Sequence, residues 1–368
     1  MPTKHMSIDE AFAAYDLNSQ VYLPWRTRWE ESSAAYDPNK LVIMDERQTR
    51  ERAMWLGFET VEVDQILNFR GEFVEKSGLL PLLWHLFYCF SQMKDPLPTN
   101  YATSPKLPES LGHHGELFYL YLYLCLVEYP MALDQERGVP EEITQATLHD
   151  VVRWTRFNSK DKGRLALTQS VWLNHHMNSR LHQIGRLQFE RRACDYKSII
   201  ARDSETGELR GYGEDEHDQV WGKVILEEGD PIVSIHIPRS GAMDHDVCTK
   251  SFVDAKQFFT KYYPEFQPKA YCCFSWLTNP LWSQYLMETS NVRKFVERYH
   301  PYPLEAREDT GLWYWLYQKW EPFENLDDAP QESSVQRAFV KHLKDGKKWF
   351  VSGGYILPEE IDAYDVND

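Results

Sequence analysis

The sequence predicts an α+β protein: a helical N-terminal half packed on a mixed β-sheet with flanking helices. Three observations predict it. Up to about residue 160 the chain carries long apolar-periodic runs with helix-start signals, whereas beyond it short apolar runs of strand length alternate with turns and helical patterns. Apolar residues make up 42% and aromatics 14% of 368 residues, which is enough for two cores and excludes disorder over most of the chain. The expected division is 1–160, helical, and 161–368, mixed.

Taken in order, "SIDEAFAAYDL" places Glu10 three residues after Ser7, the spacing of a capping box. "TVEVDQILNFRGEFVEK", "GLLPLLWHLFYCFSQM" and "ELFYLYLYLCLVEYPMALDQER" are each long enough for a helix. In "PEEITQATLHDVVRWTRF", Pro140 and two acids mark a start, and Ile143, Leu148, Val151, Val152 and Trp154 share a face. The apolar stretch Leu117–Val127 is about half the ~20 residues of a membrane span, so a buried helix is expected.

Further on, "RLHQIGRLQFERRACDY" alternates Ile184, Leu187 and Phe189 with polar residues, as a half-buried strand does. "SETGELRGYGEDEHD" reads as turn or loop. "PIVSIHIP" and "KAYCCFSWL" have strand length, and each precedes a helical pattern. "SSVQRAFVKHLKDG" has a serine cap, and "KWFVSGGYIL" reads as a last strand.

The net charge of −16 opposes nucleic acid and anionic membrane as partners, so an anionic substrate requires a local basic site. Six cysteines without framework spacing read as reduced core thiols, and the N-terminus lacks the apolar region of a secretory signal; a cytoplasmic location is expected. No metal is expected. His113–His114 and His175–His176 are adjacent pairs without the helical i, i+4 spacing of a zinc site, although His175 or His176 with His182 would share a face if helical.

The stretch from Asp230 to Tyr263 joins a strand through a turn at Ser240–Gly241–Ala242 to an amphipathic helix. Such a junction points backbone N–H groups at whatever lies above it, and an anion suits them. One glycine makes no dinucleotide or Walker fingerprint, and no nucleophile elbow is present. Trp313, Tyr314 and Trp315 either line a pocket or pack a core.

"IGRLQFE" (184–190), "HIPRSG" (236–241), "SFVDAKQFFTKYYPE" (251–265), "CCFSWLTNPL" (272–281) and "SNVRKF" (290–295), with "GVPEEITQATLHDVVRW" (138–154), resemble a bacterial family of acyltransferase domain-containing proteins. Its members join an N-terminal acyltransferase-type domain to a GNAT-like C-terminal domain. The resemblance covers roughly Leu117 to Phe295 and implies a central strand, turn and helix that hold the pyrophosphate of acetyl-CoA or another acyl-CoA, beside a strand that splays to admit the pantetheine.

It assigns Ile237, Arg239, Ser240, Gly241 and Ala242, with Ser275 and Asn279, to cofactor binding, and Asn279 and Tyr285 to the Asn/Tyr pair of such enzymes. Tyr285, as acid for the leaving thiolate, stands one residue nearer than is usual. Asp244 and Asp246 depart from the family turn and oppose an anion unless they point away. The implied reaction is direct acyl transfer to an amine of a small molecule or peptide, with Glu190 or His236 taking the amine proton. The alternative is a non-catalytic ligand-binding or scaffold protein on the same fold.

Overall fold

The computed structural model describes residues 7–15, 17, 26–92, 104–169, 171–319 and 321–364. They fall into two compact units that meet in sequence at Gln183/Ile184.

In the first unit, helices Glu46–Leu56, Thr60–Lys76, Leu80–Ser91, Gly112–Leu126, Glu128–Arg137, Glu141–Leu148 and Asp150–Lys162 follow one another. The Ser7–Glu10 capping box forms as the spacing predicts. Gly112–Leu126 is the central helix, buried at every residue from Leu117 to Leu126. A helix that is apolar all round belongs in a core, and its tyrosines satisfy their polar tips there: Tyr121 Oη donates to Ile66 O at 2.9 Å and Tyr123 Oη to Asn174 Oδ1 at 3.1 Å. The stretch Glu109–Arg137 has the length and apolarity to cross a membrane, yet 67% of its apolar window is buried within the protein. Two expected single helices are each divided, at Val127 and at His149.

The unit boundary lies beyond the expected position at 160. Leu165, Leu167, Leu173 and Met177 are buried in the helical core, so the connecting segment goes with the helices. Two buried His–Asp pairs tie it down. His176 Nε2 lies 2.9 Å from Asp150 Oδ2, and His182 Nε2 lies 3.1 Å from Asp134 Oδ1. Burial would raise the Asp150 carboxyl, but the His176 hydrogen bond and charge, with Arg153, outweigh it and hold the group well below the usual carboxylate range.

A six-stranded sheet is formed by β1 (Leu181–Ile184), which straddles the boundary in sequence, and by five strands of the second unit, β2 (Leu187–Ala193), β6 (Pro231–His236), β7 (Ala270–Cys273), β9 (Gly353–Ile356) and β8 (His300–Tyr302), in that spatial order. β2 runs antiparallel to β6, β6 parallel to β7, and β7 antiparallel to β9. The sheet is therefore mixed, as the sequence predicts, and the fold class is α+β. Residues 232–235 of β6 are all buried, the burial of a strand covered on both faces.

Between β2 and β6 a second sheet forms from β3 (Ile199–Arg202), β4 (Leu209–Tyr212) and β5 (Lys223–Leu226). β4 lies inside the stretch expected to be loop. It is a short edge strand, and only Tyr212 in it is buried, so it lacks the apolar alternation by which strands are recognised.

Candidate active site

Helix His245–Tyr262 follows β6 and packs through Cys248, Phe252, Ala255 and Phe259, a stripe at i, i+4, i+7 and i+11. Its N-cap is Asp244, whose Oδ1 accepts from the N–H groups of Asp246 (3.1 Å) and Val247 (3.2 Å). The carboxylate that seemed to oppose an anion is thus folded onto its own helix end. Asp246 is exposed in the first turn, where the helix dipole favours it.

β2 and β6 bring Glu190 and His236 together. Glu190 is in register with Ser234, so its side chain shares a sheet face with that of His236, two residues on. His236 Nε2 lies 3.0 Å from Glu190 Oε2. Glu190 is 2% exposed and the His236 side chain 24%, which places a buried carboxylate behind a ring that solutes can reach. The Arg186 guanidinium contacts backbone carbonyls, and that of Arg191 stacks 3.9 Å from the Tyr263 ring centroid. An ionised Glu190 takes the hydrogen on Nε2 and places the basic lone pair of His236 on Nδ1.

The pairing of β6 with β7 covers Ile232/Ala270, Val233/Tyr271 and Ser234/Cys272, while β6 runs on to His236. The parallel ladder therefore ends two residues before the strand does, at His236. Ile237 and Pro238 continue the chain half-buried, Arg239 is exposed, and Ser240 N–H turns back to Pro238 O at 2.8 Å. Gly241 follows in the left-handed region at φ 74° and, with Ala242, is exposed.

Arg186, on the tight β1–β2 connection, reaches this turn. Its Nη1 donates to Pro238 O (3.0 Å), Nε to Ala242 O (3.0 Å) and Nη2 to Gly241 O (3.1 Å). On the other side of the helix start, Arg298 Nη2 donates to His245 O and to Thr249 Oγ1, each at 2.7 Å. Two arginines thus flank the turn and the helix start, each donating to groups of the protein. Sequence reasoning missed both arginines, and only the Gly–Arg pair within a two-strand pattern signalled Arg186.

The residues expected beyond β7 are placed as follows. Ser275 Oγ accepts from Leu277 N–H at 3.2 Å and Asn279 Oδ1 from Leu281 N–H at 3.0 Å, while Asn279 Nδ2 donates to Phe350 O at 3.0 Å. These bonds brace the exit of β7. Tyr285 ends the short helix Trp282–Tyr285 and meets His342 of helix Ser334–Lys344. His342 Nε2 donates to Lys348 O at 3.0 Å, so Nδ1 is the acceptor for the Tyr285 hydroxyl at 2.9 Å. Trp313 is buried against Tyr317, Phe323 and Phe339, and so packs a core.

All six cysteines are free and buried. Burial pushes the Cys273 thiol up to about 12, so at neutral pH it is no nucleophile. Among the described residues no group of three His, Cys, Asp or Glu side chains is placed to hold a metal ion.

Two family models match the chain. An N-acyltransferase N-terminal domain covers residues 47–179 and a GNAT-like C-terminal domain covers residues 181–356. A search of curated proteins finds no match. Among solved structures, an acyltransferase in complex with CoA and 10C-teicoplanin superposes with a TM-score of 0.73 at 21% identity, over 96% of this chain and 99% of that one. An acyltransferase in complex with decanoyl-CoA gives 0.70 at 20% over 96% and 100%. An acyltransferase mutant with octanoyl-CoA gives 0.72 at 20%, over the same shares. These likenesses extend the shared fold over both units.

Proposed function

Because the chain belongs to the two-domain acyltransferases, which join an N-acyltransferase N-terminal domain to a GNAT-like C-terminal domain, we propose that it transfers an acyl group from acyl-CoA to an amine. The observation that carries this reading is the Glu190–His236 pair, set just beyond the end of the β6–β7 ladder and two residues before the turn that opens at Pro238. That is the place where an acyl thioester held by the turn meets a base.

In the proposed reaction the amine nitrogen attacks the thioester carbonyl and forms the C–N bond. His236 takes the amine proton, and Glu190 stabilises the imidazolium that results. Collapse of the tetrahedral intermediate breaks the C–S bond, and the departing thiolate takes a proton, for which Tyr285 is the assigned acid. Ile237, Arg239, Ser240, Gly241 and Ala242 contact the CoA phosphates and pantetheine, and Ser275 and Asn279 hold the strand exit beside it. The structural neighbours bind octanoyl-CoA, decanoyl-CoA and teicoplanin, a glycopeptide, which supports a small-molecule or peptide amine as acceptor.

The non-catalytic reading draws on Asp244, which caps two amides at the helix start. The amides of the preceding turn remain the phosphate contacts in our reading, and titration calorimetry separates the two. Saturable acyl-CoA binding with release of CoA thiol in the presence of an amine supports the transferase. Binding without thiol release across a panel of amines supports the alternative.

A further inference from the structure

We infer that Arg186 is the positioning residue of the phosphate turn: its guanidinium gathers the turn's carbonyls on one side so that the amides face the CoA pyrophosphate on the other. This rests on the acyl-CoA reading above. Three carbonyls, those of Pro238, Gly241 and Ala242, point at one planar cation at 3.0 to 3.1 Å. A trans peptide sets each N–H opposite its C=O, so the N–H groups of Arg239, Ala242 and Met243 are directed away from Arg186. Several amides turned to one side of an irregular loop form an anion-binding concavity. The arrangement costs little to keep, because carbonyls that would otherwise repel one another share a positive charge.

The arginine is itself fixed from behind. Its backbone N–H donates to Ser251 Oγ at 2.8 Å, and that hydroxyl donates onward to Val247 O at 2.9 Å. Gly185 sits at φ 60°, and a Cβ there would lie 2.5 Å from Ser251 Oγ, so only glycine lets the connection approach the helix this closely. Gly185, Arg186 and Ser251 thus lock the turn to helix His245–Tyr262. A lysine in place of Arg186 keeps the charge but has no planar fork to span three carbonyls.

The test compares octanoyl-CoA with octanoyl-pantetheine, which lacks the pyrophosphate, by titration calorimetry on the full chain. The wild type should bind octanoyl-CoA more tightly. Arg186→Met should lose about 10-fold or more of its octanoyl-CoA affinity while its octanoyl-pantetheine affinity stays within about 2-fold. Arg186→Lys should lose most of the same increment, and it carries the test if the methionine variant does not fold. Equal losses for both ligands would make Arg186 a general structural residue and overturn the inference, as would no loss for either, or full affinity in Arg186→Lys. A wild type that binds both ligands alike would overturn the acyl-CoA turn itself, an outcome distinct from a wild type that discriminates and variants that still do so.

Discussion

His236 Nε2 stands 3.0 Å from Glu190 Oε2, joined across the antiparallel β2–β6 pair with the carboxylate buried and the ring accessible. A carboxylate behind an imidazole fixes its tautomer and stabilises the charge it gains on taking a proton. In the proposed reaction Glu190 orients the ring and His236 takes the proton.

His236→Gln should lower kcat for CoA thiol release in the presence of an amine by about 100-fold or more, with octanoyl-CoA affinity unchanged. Glu190→Gln, which keeps a hydrogen-bond acceptor but loses the charge, should give a smaller loss in kcat. Stopped-flow thiol detection with parallel calorimetry checks both. A fall in affinity equal to the fall in rate would move the base elsewhere.

Asp244 contributes an N-cap whose oxygen serves two amides. Asp244→Ala should cost about 1 kcal/mol in urea unfolding. It should not weaken octanoyl-CoA binding, because it removes a negative charge beside the turn.

The glycines of the two turns should respond differently to alanine. Gly185→Ala adds a Cβ 2.5 Å from Ser251 Oγ in a left-handed backbone, whereas Gly241→Ala meets nothing within 4 Å and suffers the backbone strain alone. Denaturant titration should find a cost of about 1 kcal/mol for Gly241→Ala and a clearly larger one for Gly185→Ala.

Acid sensitivity should centre on Asp150. Burial opposes its charge, but His176 and Arg153 hold the carboxyl below its ordinary 3.8. The stability that this depression contributes is fully present above the unfolded value and is lost as pH falls through 3.8 towards the lower folded one. Asp150→Asn should therefore flatten the acid limb of a plot of melting temperature against pH, while lowering stability at pH 7.

Much of the fold was legible because periodicity is local. "TVEVDQILNFRGEFVEK" forms one helix over all of its seventeen residues, and "PIVSIHIP" contains β6. β4 was not legible, since an exposed edge strand carries no apolar alternation. In the candidate site, Glu190 and His236 were each visible as a candidate base, but their pairing depends on a strand register that no local pattern encodes. The Arg186 clamp depends on three carbonyls fifty and more residues away, so it emerges only from tertiary structure. Asp244 was visible as a charge near the turn, while its direction was set by the helix start it caps.

The most direct test of acyl transfer is mass spectrometry of the products formed from octanoyl-CoA and a panel of small-molecule and peptide amines. The account predicts an octanoylated amine with one equivalent of free CoA for each amide formed, and a product signal reduced about 100-fold or more in His236→Gln. No amide with any acceptor or acyl chain length, from a protein that calorimetry finds saturated with octanoyl-CoA, would contradict it and leave a binding protein on a transferase fold.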